Sequence, residues 1–464
     1  MSMVETKTRT VGGTEYSWCK AIRGGTGIAV LSLLLTEPLD IPRFQVALNK
    51  LQNYHPILRS RIHHSNTSSL TQDTTFTFIT SPTPFIKIES HSVNVSSEIL
   101  GRNPNDAVSV SPLQQILEHE LNRNTWQDRS RTTGSDMLVA SIYAMPPDAK
   151  TSVVVMRLHV AACDRTTAVS LLRELLVLMK EEEENVVVRE NDNKGEVCLA
   201  IEDLVPCRKG KKNIWTRGLD VISYSLNSFR LTNLKFNDTK NARFSQVIRL
   251  QLNDVDTKRV LAGCKHSEIK LCGAITAAGL MAAHSSKNSS KKYGIITLTD
   301  CRSTLYPPLS IHNFGFYHAA ILNNHVIKGG ESLWELAKRT YGAFANSKNN
   351  DKHFSDMADM NFLMNKAIDN PSLTTSLRTS IMSVFEDMVV DDGGDKQREV
   401  GVDDYMGCAS VHGLGPSIAI FDTIRDGRLD CVCVYPSPLH SREQMQELVN
   451  NMKAILIEGG KTYE

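Results

Sequence analysis

The sequence predicts an α/β protein of two similar-sized domains, each a sheet covered by helices, with the cleft between them as the default ligand site. Three observations carry this expectation. The chain has 464 residues, too many for one ordinary hydrophobic core. Segments of strand character and segments of helical period are mixed through both halves. Midway, the charged stretch EEEENVVVRENDNKGE and the basic stretch LVPCRKGKKNIWTRG interrupt them and read as exposed excursions. We therefore expect a first domain over 1–190, a crossover over 191–243 and a second domain over 244–464.

In the first half, TGIAVLSLLL reads as a strand ending at the turn TEPLD. IPRFQVALNKLQNYH follows as an amphipathic helix, with Phe44, Leu48, Leu51 and Tyr54 on one stripe. His55-Pro56 ends it, and ILRSRI begins the next strand. FTFIT and FIKIES have strand character, and residues 112–123 read as a helix with Pro112 in its first turn. MLVASIYAM is a strand. So is 153–158, where β-branched residues dominate and most positions are apolar. Asp164 is a good N-cap, and Ala168, Leu171, Leu172, Leu175 and Leu176 then recur at helical spacing. His159 thus stands where a strand gives way to a loop and a helix. Two readings are open: a hydrogen-bonded histidine beside a capping aspartate, or a general base facing a cleft.

The second half resumes with the strand ARFSQVIRLQL and the helix DVDTKRVLAGCKHS. The Ala-rich LCGAITAAGLMAAHSS is a helix whose small residues permit close packing. KYGIITLTDCRSTLYPP is a strand running into a proline turn. Residues 388–404, MVVDDGGDKQREVGVDD, read as an acidic loop, and the chain closes with the strand LDCVCVY and the helix SREQMQELVNNMKAILIE.

Composition limits function. Lys and Arg total 52 against 51 Asp and Glu, a balance that offers no field for nucleic acid or an anionic membrane. The longest apolar run near the N-terminus, Ile28 to Leu35, is too short to span a bilayer. Cysteines such as Cys272, Cys431 and Cys433 lie in apolar stretches, as reduced thiols of a cytosolic protein do. None has the CxxC spacing with histidine partners that a zinc site requires, so no metal is expected.

Several segments, taken together, resemble the chloramphenicol-acetyltransferase-like superfamily, which includes plant BAHD acyltransferases and the condensation domains of peptide synthetases. ALNKLQNYHPILRSRI is similar to its N-terminal helix, His-Pro-x-Leu-Arg and strand. LHVAACD lies where members carry HxxxD. TDCRSTLYPPLSIHNFGFYHAAI resembles the BAHD segment with an Arg before a Pro-Pro pair, and the final strand and helix match in order. The departures are specific. Four residues, not three, separate His159 from Asp164, and Arg165 follows where Gly is usual. The DFGWG signature is absent, its region reading GCASVHGLGPSIAIFD.

The resemblance implies two like-folded domains flanking an active-site tunnel. It implies transfer of an acyl group from an acyl-CoA co-substrate to a small-molecule hydroxyl or amine, without a covalent acyl-enzyme or a bound cofactor. Carried over, the general base is His159. Asp164 and Arg302 form a structural pair at the site, with helix capping as the alternative role for Asp164. Cys163 reads as a small buried residue, and His312, His318 and His412 as structural. Arg208, Lys209, Lys211 and Lys212 are candidates for the CoA 3′-phosphate. The altered motifs leave two alternatives: a binding or regulatory protein of this fold, or a His-dependent cyclase or isomerase. Members of the superfamily are commonly monomers, and a cytoplasmic monomer is expected here.

Overall fold

A computed structural model describes residues 6–66, 74–101, 110–128, 134–147, 150–180, 196–207, 209, 231–284, 289–370 and 378–463. The strands are β1 (Lys7–Thr10), β2 (Thr26–Leu35), β3 (Ser60–Asn66), β4 (Thr74–Thr80), β5 (Ile88–His91), β6 (Ser135–Asp136), β7 (Leu138–Ala144) and β8 (Ser152–His159). The second half adds β9 (Phe244–Gln251), β10 (Lys291–Asp300), β11 (His318–Ile327), β12 (Met382–Phe385), β13 (Val389–Asp391), β14 (Val402–Val411), β15 (Ile418–Arg425) and β16 (Arg428–Ser437).

These strands build two principal sheets. One runs β14-β2-β8-β7-β5; the other runs β11-β10-β12-β15-β16-β9, with β13 alongside β15. A small sheet, β1-β4-β3-β6, flanks the first. Each principal sheet packs helices against an apolar core of its own. The predicted two-lobed α/β architecture is what the chain adopts. One strand crosses over: β14, from the second half, pairs antiparallel with β2 and completes the first sheet.

Local chemistry explains most boundaries. The helix Ile41–Tyr54 starts where the Asp40 carboxylate accepts the Arg43 N–H, with proline in its first turn. Pro56 follows its end, but the chain then makes a short 3₁₀ turn, Pro56–Arg59, and the strand begins only at Ser60. Buried Arg59 is the reason, since its guanidinium folds back onto the Gln52 and Asn53 carbonyls. Residues 388–404 are not the loop that their charge suggested. They hold β13, the helix Gly394–Glu399 and the start of β14. Asp391 is buried there, accepting from Gln397 Nε2 at 2.6 Å and from the Tyr405 hydroxyl, while Asp392, Asp395, Glu399 and Asp403 stay exposed.

Polar ties join the lobes. From the helix Pro112–Leu121, Gln114 donates to the Val247 carbonyl at 2.7 Å, and Glu118 accepts the Val247 N–H at 2.9 Å and Arg442 at 2.7 Å. All ten cysteines are free thiols, and eight are buried, so no disulfide framework supports the fold. Among the described residues, no helix is long and apolar enough to cross a membrane.

Candidate active site

A cavity of about 1210 Å³ lies between the lobes. The first lobe contributes Trp18, Leu31, Leu158, Val160, Leu172 and Leu176 to its wall. The second contributes Leu298, Phe316, His318, Leu322, Phe385 and Phe421. Most of the wall is apolar, so water held there gains little and an apolar ligand gains by displacing it.

β8 reaches this cavity only near its end, through Leu158, and the 3₁₀ turn that follows adds Val160. Side chains alternate along a strand. Leu158 and Val160 line the cavity, whereas Arg157 and His159 are buried and lie outside its wall. Both instead meet Trp126. The His159 ring centroid lies 5.4 Å from the indole, edge-on at 88°, and the Arg157 guanidinium 6.0 Å from it. His159 Nδ1 accepts the Ala161 N–H at 3.0 Å. A neutral imidazole has one donor and one acceptor nitrogen. With Nδ1 accepting, Nε2 carries the proton, and no lone pair remains for a substrate. Burial, aided by the nearby Arg23 charge, pushes the ring down to a pKa of about 3. The general-base role expected for His159 does not fit this geometry. Counting back three intervening residues from Asp164 gives Val160, and Val160 is the residue on the cavity wall. Gly27 makes room for it: its φ is +95°, and a Cβ there would come within 2.6 Å of Val160 Cγ1.

The depressed His159 has a measurable consequence. Between 6.5, the value for the unfolded chain, and about 3, the unfolded state binds a proton that the folded state refuses. Stability therefore falls as pH drops through this window, by at most about 1.4 kcal/mol per pH unit from one group. His159→Asn keeps an acceptor for Ala161 but does not titrate. The acid-side slope of the denaturation midpoint is expected to shrink in this variant by about one proton. An unchanged slope would mean that the ring already titrates as if open to water.

Asp164 and Arg302, 138 positions apart, are brought together. Arg302 reaches Asp164 Oδ1 at 3.0 Å and Oδ2 at 2.8 Å, with both side chains buried. Asp164 also caps the helix Arg165–Lys180, accepting the Thr167 N–H at 2.8 Å. Pairing and capping are therefore one arrangement. Asp164 Oδ2 further accepts the Tyr317 N–H at 2.8 Å and lies 3.1 Å from His318 Nδ1. Burial alone would raise this carboxyl; Arg302 and His318 outweigh it and hold the group well below the usual carboxylate range. Asp164 stays ionised.

The remaining candidates are scattered. Burial, with the adjacent Asp164 charge, raises the Cys163 thiol, so it stays neutral. His312 and His55 each meet one oxygen of Glu174 at 2.6 Å. His412 Nδ1 lies 3.0 Å from Ser245 Oγ. Lys209 pairs with Asp351 at 3.0 Å, while Arg208, Lys211 and Lys212 lie outside the described residues. Two cavity-wall residues were not read from sequence as site residues. His318, at the start of β11, lies opposite Asp300 and close to Asp164; its sequence cue is its place in the segment that carries Arg302, where it was read as structural. Arg378 is buried and donates to the Val411, Gly413 and Pro416 carbonyls, each at 2.7 Å; burial draws it down to about 9. Among the described residues, no cluster of three or more His, Cys, Asp or Glu could hold a metal ion.

No protein-family model and no curated protein sequence match this chain. Solved structures match along its whole length. The epimerization domain from the third module of tyrocidine synthetase B superposes with a TM-score of 0.66 at 12% identity, over 100% of this chain and 98% of that one. The trichothecene 15-O-acetyltransferase from Fusarium sporotrichioides gives 0.65 at 11% identity, covering 98% and 96%. The condensation domain of the monacolin K polyketide synthase gives 0.62 at 11% identity, covering 98% of each chain. The chain thus has the two-lobed, chloramphenicol-acetyltransferase-like fold that these domains and this acetyltransferase share.

Proposed function

We propose that this chain is an acyltransferase. It moves an acyl group from a thioester donor, acyl-CoA as the first candidate, to a hydroxyl or amine of an apolar small molecule bound between the lobes. The observation that carries this reading is the interlobe cavity of about 1210 Å³, apolar over most of its wall, with an ionised Asp164–Arg302 pair beside it. A space of this size takes an acyl chain and an apolar acceptor together, and excluding water favours acyl transfer over thioester hydrolysis. A thioester is already activated, so the chain's own task is to align the acceptor and receive its proton. This view describes a cytosolic, monomeric enzyme with no bound cofactor.

The test is a panel of acyl-CoA donors and apolar alcohols and amines, read as acceptor-dependent thiol release. Ala409 on β14 faces Ala29 on β2, and both line the cavity. Ala409→Trp fills space at this pair and is expected to lower kcat/KM by at least about tenfold, equivalent to ~1.4 kcal/mol, while leaving the unfolding midpoint near that of the parent. Ligand binding without turnover by any donor would instead make the chain a binding protein of this fold, a reading favoured by the motif histidine, His159, lying outside the cavity wall while Val160 lines it.

A further inference from the structure

We infer that His318, on the second lobe, is the general base of this site; the inference rests on the acyl-transfer reading above. His318 lines the cavity together with Val160, Asp164 and Arg165. Its ring contacts two other wall residues, with Phe316 at 6.4 Å and Phe385 at 5.7 Å between centroids. Its Nδ1 is 3.1 Å from Asp164 Oδ2, close enough for charge attraction, although not aligned as a hydrogen bond. That distance settles the tautomer. A ring nitrogen so near a carboxylate oxygen carries a proton, because two facing lone pairs would repel. Nε2, on the far side of the ring from Asp164, then holds the free lone pair. This is the reverse of His159, whose acceptor nitrogen is occupied by a backbone N–H.

Asp164 is the positioning residue. Arg302, the Tyr317 N–H and the Thr167 N–H hold it in place. An anchored carboxylate beside Nδ1 orients the imidazole and stabilises the imidazolium formed when Nε2 takes a proton. Without Arg302 the same carboxylate would be a buried charge lacking its main partner, so the pair and the histidine form one device.

The step balances. The acceptor O–H or N–H gives its proton to His318 Nε2 as its oxygen or nitrogen bonds to the thioester carbonyl carbon. The tetrahedral intermediate collapses, the C–S bond breaks, and the departing thiolate takes the proton back from Nε2. An ester or amide and a free thiol leave, and the histidine is neutral again.

His318→Ala in the full chain is expected to lower kcat by about 10²- to 10⁴-fold with KM little changed, as loss of a positioned base does. The vacated space opens onto the cavity, so added imidazole is expected to restore part of the rate. His159→Asn is expected to retain turnover. Should the alanine variant not fold, His318→Gln preserves the bulk of the side chain and must show the same fall in kcat with an intact unfolding transition. Turnover that survives both substitutions overturns the assignment alone. So does a loss in a folded alanine variant that imidazole does not restore. Failure of the parent chain to release thiol with every donor overturns the acyl-transfer reading, and this assignment with it.

Discussion

Arg302→Met is expected to destabilise the chain by about 3–5 kcal/mol, read as a fall in the denaturant midpoint. Asp164 is buried and ionised, and Arg302 supplies its opposite charge at 2.8–3.0 Å. Methionine fills much of the same volume but returns no charge. Tyr317 and Thr167 still donate their N–H groups to the carboxylate, so the backbone scaffold persists around an uncompensated anion. The cost is that of a buried charge without its partner, which exceeds what the intact pair adds. Arg302 also donates to Thr167 Oγ1 and to the Asn313 carbonyl, so the turn preceding β11 loosens as well. Adding Asp164→Asn should recover a substantial part of the loss, because a neutral amide needs no counter-charge. A midpoint shift worth less than about 1 kcal/mol, the range of an exposed pair, would show that water already screens this carboxylate.

Glu120→Leu is expected to cost a similar ~3–5 kcal/mol for the opposite sign of charge. Glu120 is fully buried in the helix Pro112–Leu121. It accepts from Arg157 at 2.7 Å, from Arg123 at 2.8 Å and from the Tyr143 hydroxyl. Burial would raise its carboxyl, but Arg157, Tyr143 and Arg123 together hold it below its ordinary value. Arg123 is partly exposed and also pairs with Glu89, so it tolerates the loss. Arg157 does not. It is buried, and its Nε and Nη2 have no hydrogen-bond partner among the described residues. Removing Glu120 strands that cation in β8, two residues before His159. The double variant Glu120→Leu/Arg157→Met should be far more stable than Glu120→Leu, since an apolar pair replaces an ionic one in a site already dry. If the double variant is no better than the single, the cost lies in the packing of leucine and not in the stranded charge.

Much of the fold was legible because its periodicities are strong. The helix Arg165–Lys180 shows leucines at helical spacing after a capping aspartate, and both features are observed. The pattern failed where a run of charge was taken for a loop. Residues 388–404 carry many acids, yet Asp391 is buried and paired, and the segment lines the cavity. Element order likewise does not say which sheet a strand joins. β14 begins eleven residues after β13 ends, yet it pairs with β2 in the other lobe, because hydrogen-bonding edges are matched in space.

By itself the sequence determined the two-lobed class, the strand–loop–helix unit around His159 and Asp164, and the residue types available at the site. Only the tertiary structure decided which of those residues meet the cavity. β8 is buried on both faces, so its sequence lacks the polar–apolar alternation that would mark one face as facing ligand. The packing of Trp126 and the helix Pro112–Leu121 on one side, and of the second lobe across the cavity on the other, turned His159 inward and left Val160 and His318 on the wall. Contacts between residues more than a hundred positions apart are set by how sheets and helices pack, and local pattern holds no record of them.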